Sequence, residues 1–372
     1  MRVLFLLLTA VLLSSCGRQM SGHQEDGDTL RLKHASLLTI VRHDGYTEVA
    51  IRNPWHKGKL LHTYVLVPRD GDVPQAVSHE TVIRVPVRRA AVFTTVHCAL
   101  LNTLGHAGDI KAVAELEYIK IPAIQEGVKA GRIADCGNGM NPAVEKIIDQ
   151  KPDIIMLSPF ENSGGYGKLE DIGIPLVECA EYMENSPLAR AEWVKFYGLL
   201  FGEEQQADSL FAVVDSSYNT LKQQARQAGR GLSLLIDRMV GQVWYVPGGR
   251  STIGQMAQDA GARYPWADDE NSGSLTLPFE TVLERAGDCQ AWMYRYSSDH
   301  EQTLRELLAE HRGYDQLRAF REQNVYGCNV EQTLFYEETP FRPDYLLSDF
   351  IQIVHPDSMA VAPLRYYKKV RP

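Results

Sequence analysis

The sequence predicts an α/β protein of two doubly wound, three-layer α/β/α lobes joined by a long backbone helix, with an extra antiparallel β region on the N-terminal side. Three observations carry this reading. Short apolar runs suited to buried strands alternate with helical patterns from residue 88 onward, and the alternation resumes after residue 230. Between the two stretches lies one long helical pattern. One motif also occurs twice: Pro142-Ala-Val-Glu145 runs into Lys-Pro-Asp153 and the apolar Ile154 to Leu157, and Pro278-Phe-Glu280 runs into Asp288 and the apolar Ala291 to Met293. In both copies a Glu opens a short helix and an Asp eight positions on precedes a strand, which places one carboxylate at a matching point of each lobe. The helix dipole favours a first-turn Glu in any protein, so the paired offset is the informative part.

Residues 1–15 combine a charged start, an apolar run from Val3 to Leu13 and Ser14-Ser15 before Cys16. The run is too short for a membrane span. It resembles a bacterial lipoprotein signal, with Cys16 as the lipidated first residue of the mature chain. Residues 16–29 are polar and Gly-bearing, the composition of a flexible tether.

The N-terminal lobe is expected over 30–185, with its β region at 30–87. There Leu37 to Arg42, an Asp44-Gly45 turn and Thr47 to Arg52 read as a hairpin, and Lys59 to Val67 as a further strand. Strands follow at 90–94, 109–114, 154–158 and 176–179, with a helix over 98–105. Ser186-Pro187 is a helix N-cap and first-turn pair opening the connecting segment 186–229. Within it Ala207, Leu210, Phe211, Val214, Tyr218, Leu221 and Ala225 form one apolar stripe. A helix of that length is a strut that limits relative motion of the lobes. The C-terminal lobe, 230–372, is expected to hold strands at 232–236, 243–246 and 291–294 and helices at 251–260, near 300–309 and at 343–354.

Composition sets bounds. The 372 residues suffice for two cores, and a net charge of -9 argues against nucleic acid or an anionic membrane face as the main partner. Besides Cys16 there are five cysteines, an odd number without metal-type spacing, read mostly as buried thiols with room for one disulfide. Nucleophile-elbow, zinc-protease, phosphate-loop and dinucleotide motifs are absent, and Gly137-Asn-Gly139 lacks the third glycine. The chain therefore reads as a binder rather than an enzyme.

In open α/β lobes ligands sit beyond the carboxyl ends of the strands, here the loops 94–97, 136–141, 159–166, 238–250 and 294–297. Candidate ligand residues are Thr95, His97, Met140, Phe160, Tyr166, Arg238, Trp244, Tyr245, Tyr294 and Arg295. Such rings and guanidiniums suit a large, partly flat, partly anionic ligand. Each aromatic has an alternative as core, and His97 has one as a polar residue of the helix start.

Several segments carry a family resemblance: Leu104-Gly105, Gly139-Met-Asn-Pro-Ala-Val-Glu145 with Lys151-Pro-Asp153, Ser186-Pro-Leu-Ala-Arg-Ala-Glu192-Trp, Trp244 to Gly254, and Asp259-Ala-Gly261. Over residues 88–356 the chain resembles the substrate-binding proteins of ABC importers for iron-siderophores, haem and cobalamin. The resemblance implies that Glu145 and Glu280 meet arginines of an inner-membrane ABC permease, that the lobes close slightly on binding, and that the ligand is a metal chelate, with an iron complex ahead of cobalamin. The protein is expected to be a monomer in the periplasm, lipid-anchored through Cys16, with no resident cofactor and, because the sequence shows no ligand cluster, no directly ligated metal. The β region before residue 88 lies outside that family's usual core, and Gly287-Asp288 replaces its Pro-Asp. Two other readings stay open: a tetrapyrrole-handling envelope enzyme using His97 or Glu161, and a structural or adhesion lipoprotein.

Overall fold

The structure, a computed structural model, describes residues 27–161, 165–357 and 363–372. The signal segment, Cys16 and most of the tether lie outside the described residues.

The chain opens with a five-stranded sheet in the order β1 (Asp28–Thr29), β2 (Leu38–His43), β3 (Tyr46–Arg52), β4 (Leu60–Pro68) and β5 (Thr81–Val85). Gly45, at φ 83°, makes the tight β2–β3 turn that an L side chain would strain. The first three pairings are antiparallel, but β5 runs parallel to β4. The antiparallel expectation is corrected there, because residues 69–80 form a crossover rather than a hairpin turn.

The first lobe is built on β6 (Ala90–Val92), β7 (Ile110–Val113), β8 (Ala134–Asp135), β9 (Ile154–Leu157) and β10 (Leu176–Glu178). They form an all-parallel sheet in the order β10-β9-β6-β7-β8. The helices α1 (Thr95–Thr103), α2 (Pro122–Lys129) and α3 (Val144–Gln150) connect them. Strand β9 is buried along its whole length, as a strand covered on both faces must be. The order reverses between β6 and β9, so the loops leaving these two strands diverge and open a crevice.

The connecting segment is three helices, α4 (Pro187–Glu192), α5 (Val194–Phe201) and α6 (Glu204–Ala228). The unbroken pattern expected to residue 229 is interrupted at Gly202, which takes the left-handed conformation and ends α5. Helix α6 has 25 residues, about 37 Å. It buries Ala207, Phe211, Val214, Tyr218 and Ala225 of the stripe read from the sequence and leaves Leu210 and Leu221 half-buried against the core.

The second lobe holds β11 (Leu234–Ile236), β12 (Met239–Val240), β13 (Val243–Pro247), α7 (Thr252–Asp259), β14 (Ser274–Leu277), α8 (Phe279–Ala286), β15 (Ala291–Tyr296), α9 (Leu304–Glu310), α10 (Arg318–Arg321), β16 (Val325–Asn329), α11 (Phe335–Glu338), α12 (Pro343–Val354) and β17 (Lys368–Lys369). Strands β11, β15 and β16 are parallel, and β17 adds antiparallel. The 243–246 strand does not join this sheet. It forms a separate antiparallel sheet, β12-β13-β14, over the parallel one. Trp244, Trp292 and Tyr314 pack between the two, with ring centroids 4.9–5.9 Å apart. After β13, Gly254 lies so close to Gly248 that a Cβ would stand 2.1 Å from its carbonyl oxygen. Two backbones meet there, which explains the glycines of that motif.

All five cysteines beyond residue 27 are buried free thiols, so the room left for a disulfide is unused among the described residues. No helix among these residues is long and apolar enough to cross a membrane.

Candidate ligand cleft

The lobes face each other through α1 of the first and α11 of the second. Thr95, at the start of α1, donates through Oγ1 to Glu337 of α11 at 3.2 Å. Burial holds the Glu337 carboxyl above its ordinary pKa, partly offset by hydrogen bonds from its own backbone and from Thr95. Lys120, ahead of α2, reaches the Val330 carbonyl at 2.8 Å and Glu331 at 2.9 Å. Beside this seam lies a cavity of about 150 Å³ walled mostly by the second lobe, with Met256, Arg295 and Tyr336 among its residues, and completed by Arg190 of α4 and Val96 of the first lobe.

A second cavity, of about 310 Å³, belongs to the first lobe alone, above the carboxyl ends of β8 and β9. Met140, Phe160 and Tyr166 line it together with Glu145. Three of the residues picked from sequence are thus brought together. Met140 and Phe160 are 71% and 40% exposed, and Tyr166 donates its hydroxyl to Glu178 at 2.6 Å.

Other candidates stand elsewhere. His97 is buried, within 3.0 Å of the Tyr197 hydroxyl and 3.5 Å of Glu181, so it walls no cleft and is a core residue. Trp244 and Tyr294 are also corrected to core positions: the Trp244 indole donates to the Ile236 carbonyl at 2.9 Å, and the Tyr294 hydroxyl to Gln302 at 2.9 Å. Tyr245 is exposed on β13. Arg238 is engaged by Glu310 and by the Arg295 carbonyl, 3.2 Å from its Nε. Arg295 is held bidentately by Asp237 at 3.0 and 2.7 Å and lies over the Phe335 ring, yet it still faces the inter-lobe cavity. Arg238 and Arg295, both half-buried, do carry partners, and their ion-pair partners are the protein's own carboxylates.

Glu145 and Glu280 are both exposed in the first turns of α3 and α8, and neither has a hydrogen-bond or ion-pair partner among the described residues. Among those residues no three His, Cys, Asp or Glu side chains converge to hold a metal ion. The sequence reading missed Arg190. Its one signal is a charge on an otherwise buried short helix, Ser-Pro-Leu-Ala-Arg-Ala-Glu.

Two α/β lobes, a stiff helical connection and a cavity at the seam fit a substrate-binding protein of the two-lobe kind. The sequence pattern of the periplasmic binding protein family matches residues 91–331, and the chain belongs to that family. The family and its structural neighbours are substrate-binding transport proteins rather than enzymes. A protein of Methanocaldococcus jannaschii, named an uncharacterized lipoprotein, is 24% identical over 369 residues, covering 93% of this chain and 86% of its own length. The fold is similar to that of a periplasmic haem-binding protein from Pseudomonas aeruginosa, with a TM-score of 0.58 at 16% identity over 77% of this chain and 99% of that one. It is also similar to a protein of the ABC-type Fe3+-hydroxamate transport system of Saccharomonospora viridis, with a TM-score of 0.55 at 19% identity over 72% and 93%.

Proposed function

We propose that this chain captures a chelated metal compound between its lobes, an iron-siderophore or haem ahead of cobalamin, and delivers it to the permease of an ABC importer in the inner membrane. The observation that carries the reading is the cavity at the seam of the two lobes, with two guanidine-bearing residues, Arg190 and Arg295, in its lining. It gains support from the iron-hydroxamate and haem proteins that share the fold. Affinity comes from shape and charge complementarity around a preformed chelate. The protein works as a monomer held to the envelope by lipid on Cys16, and transport energy comes from a separate ATPase.

Glu145 and Glu280 are the docking points. Two unpaired carboxylates, one on each lobe, present a fixed pair of charges for permease arginines, and such pairs govern encounter and register. Substituting both with Ala is expected to cut uptake by at least about tenfold and leave chelate affinity unchanged, as measured by uptake in cells beside calorimetry on the purified chain. Because Glu145 also borders the larger cavity of the first lobe, a loss of affinity in the double variant would move the ligand to that cavity and remove the docking role.

A further inference from the structure

Trp193, Trp244, Trp266 and Trp292 are at most 1% exposed, whereas Trp55, the remaining tryptophan, is only half-buried. It lies in the loop 53–59 between β3 and β4, and its neighbours are cations. Arg52, Lys57 and Lys59 are exposed without an ion-pair partner among the described residues, and Leu60 next to them is 56% exposed. No acidic residue occurs between Glu48 and Asp70, in a chain whose net charge is -9. The loop is held in shape: Asn53 Oδ1 accepts the N–H groups of Trp55 and His56 at 2.9 and 2.8 Å, and the Lys59 carbonyl accepts the Asn53 N–H at 2.9 Å. Cations alone would make an ordinary solvated turn. Cations around an indole and a leucine are the composition of an interfacial membrane anchor.

The position of the loop agrees. Near the start of β4, His62 Nδ1 stands 3.1 Å from Glu178, the last residue of β10; just after its end, Arg69 pairs with Asp153 ahead of β9. Strand β4 therefore runs from the carboxyl end of the first lobe's sheet to its foot, and the loop that precedes it projects past the carboxyl end. Glu145 opens α3 at that same end, after β8. A face that presents Glu145 to a permease in the membrane carries the loop toward the lipid around that permease.

We propose that residues 52–60 form a membrane-contact element: Trp55 and Leu60 enter the headgroup region of the bilayer while Arg52, Lys57 and Lys59 meet the phosphates of anionic phospholipids. Charge complementarity selects this partner. The body as a whole is acidic and is repelled by such a surface, so attraction is confined to this end and turns it toward the membrane. The proposal rests on the importer reading for the direction in which this end faces, and it gives the N-terminal sheet a task of its own.

The test uses residues 16–372 with Cys16→Ser, which keeps every described residue and removes a lipid anchor as a source of binding. The chain is titrated with vesicles of phosphatidylcholine alone and of an equimolar mixture with phosphatidylglycerol, both carrying brominated acyl chains that quench a tryptophan reaching the bilayer. With the other four tryptophans buried, the signal reports Trp55. Quenching is expected on the mixed vesicles, declining with added salt, and is expected to be lost on phosphatidylcholine and in W55F. Each Lys or Arg beside an anionic surface strengthens contact about fivefold, so R52Q/K57Q/K59Q should raise the lipid concentration for half-quenching by about a hundredfold. These side chains are at the surface, so Tm should hold in both variants. Equal quenching on the two compositions, quenching that survives in W55F, or an unmoved half-quenching point in the triple variant would overturn the lipid contact. No quenching on either vesicle, with uptake in cells lowered by the triple variant, would overturn it in favour of a contact with the permease itself. Quenching as expected in a chain that binds no chelate would keep the lipid contact and remove the importer reading.

Discussion

At the scale of single residues, buried carboxylates organise this protein. Glu192, fully buried, accepts the backbone N–H groups of Lys33, His34 and Ala35 at 2.7–2.9 Å. Glu184, also buried, accepts those of Ser36 and Leu37, the Ser36 hydroxyl and the Trp193 indole. Hydrogen bonds to a charged acceptor are worth about 1.5–3 kcal/mol each, and orphaned buried donors are costly. Glu192→Ala is therefore expected to lose about 3 kcal/mol or more in urea denaturation, and a change under 1 kcal/mol would show that the strap at 33–37 finds other partners. His97 gives a pH signature. Burial alone would lower its pKa, but the neighbouring Cys179 and Glu181 raise it to about 10. With a folded value above the unfolded one near 6.5, His97 contributes its stability in full below about pH 6.5 and loses it as pH rises through about 10. A His97→Gln variant should show a flatter stability profile across that alkaline range, and an unchanged slope would assign the alkaline loss to other groups.

At the scale of elements, the N-terminal sheet is the part that family resemblance leaves unexplained, and its contacts make it integral. The Tyr64 hydroxyl donates to the Leu176 carbonyl at 3.0 Å and accepts from the Glu178 N–H at 2.8 Å. Arg69 pairs with Asp153 at the foot of β9 at 3.1 Å. The Tyr64 ring stacks on Phe196 of α5. Deleting residues 27–87 should thus yield an insoluble or non-cooperatively unfolding protein, since Glu184 and Glu192 would lose the N–H groups of residues 33–37 and the face under the sheet would be uncovered; a truncated chain with an unchanged Tm would mean the sheet is a detachable module. Much of this scale was legible from the residues alone. The 3.6-residue stripe of Ala207, Leu210, Phe211, Val214, Tyr218, Leu221 and Ala225 marked α6, because a long amphipathic face leaves a periodic trace. The parallel β4–β5 pairing and the placement of β13 outside the parallel sheet were not legible, since a run such as Val243-Trp-Tyr-Val246 reads the same in either sheet. The site was legible in part for a similar reason. Loops could be located from strand ends, which grouped Met140, Phe160 and Tyr166, but whether an aromatic turns inward, as Trp244 and Tyr294 do, depends on packing between segments far apart in sequence.

At the scale of the whole molecule, the two-lobe body is joined by stiff helices and closed at its seam by a few polar ties, Thr95 with Glu337 and Lys120 with Val330 and Glu331. The 25-residue helix behind the seam is expected to limit the relative motion of the lobes. The central claim is that the cavity between the lobes binds a metal chelate, and its most direct measurement is a thermal-shift titration of the purified chain with ferric siderophores, haem and cobalamin. The account predicts that one chelate raises Tm progressively, with about 2.7 kcal/mol of stabilisation at a hundredfold excess over its Kd, and that the anionic chelates outrank cobalamin. No shift with any member of the panel would contradict it.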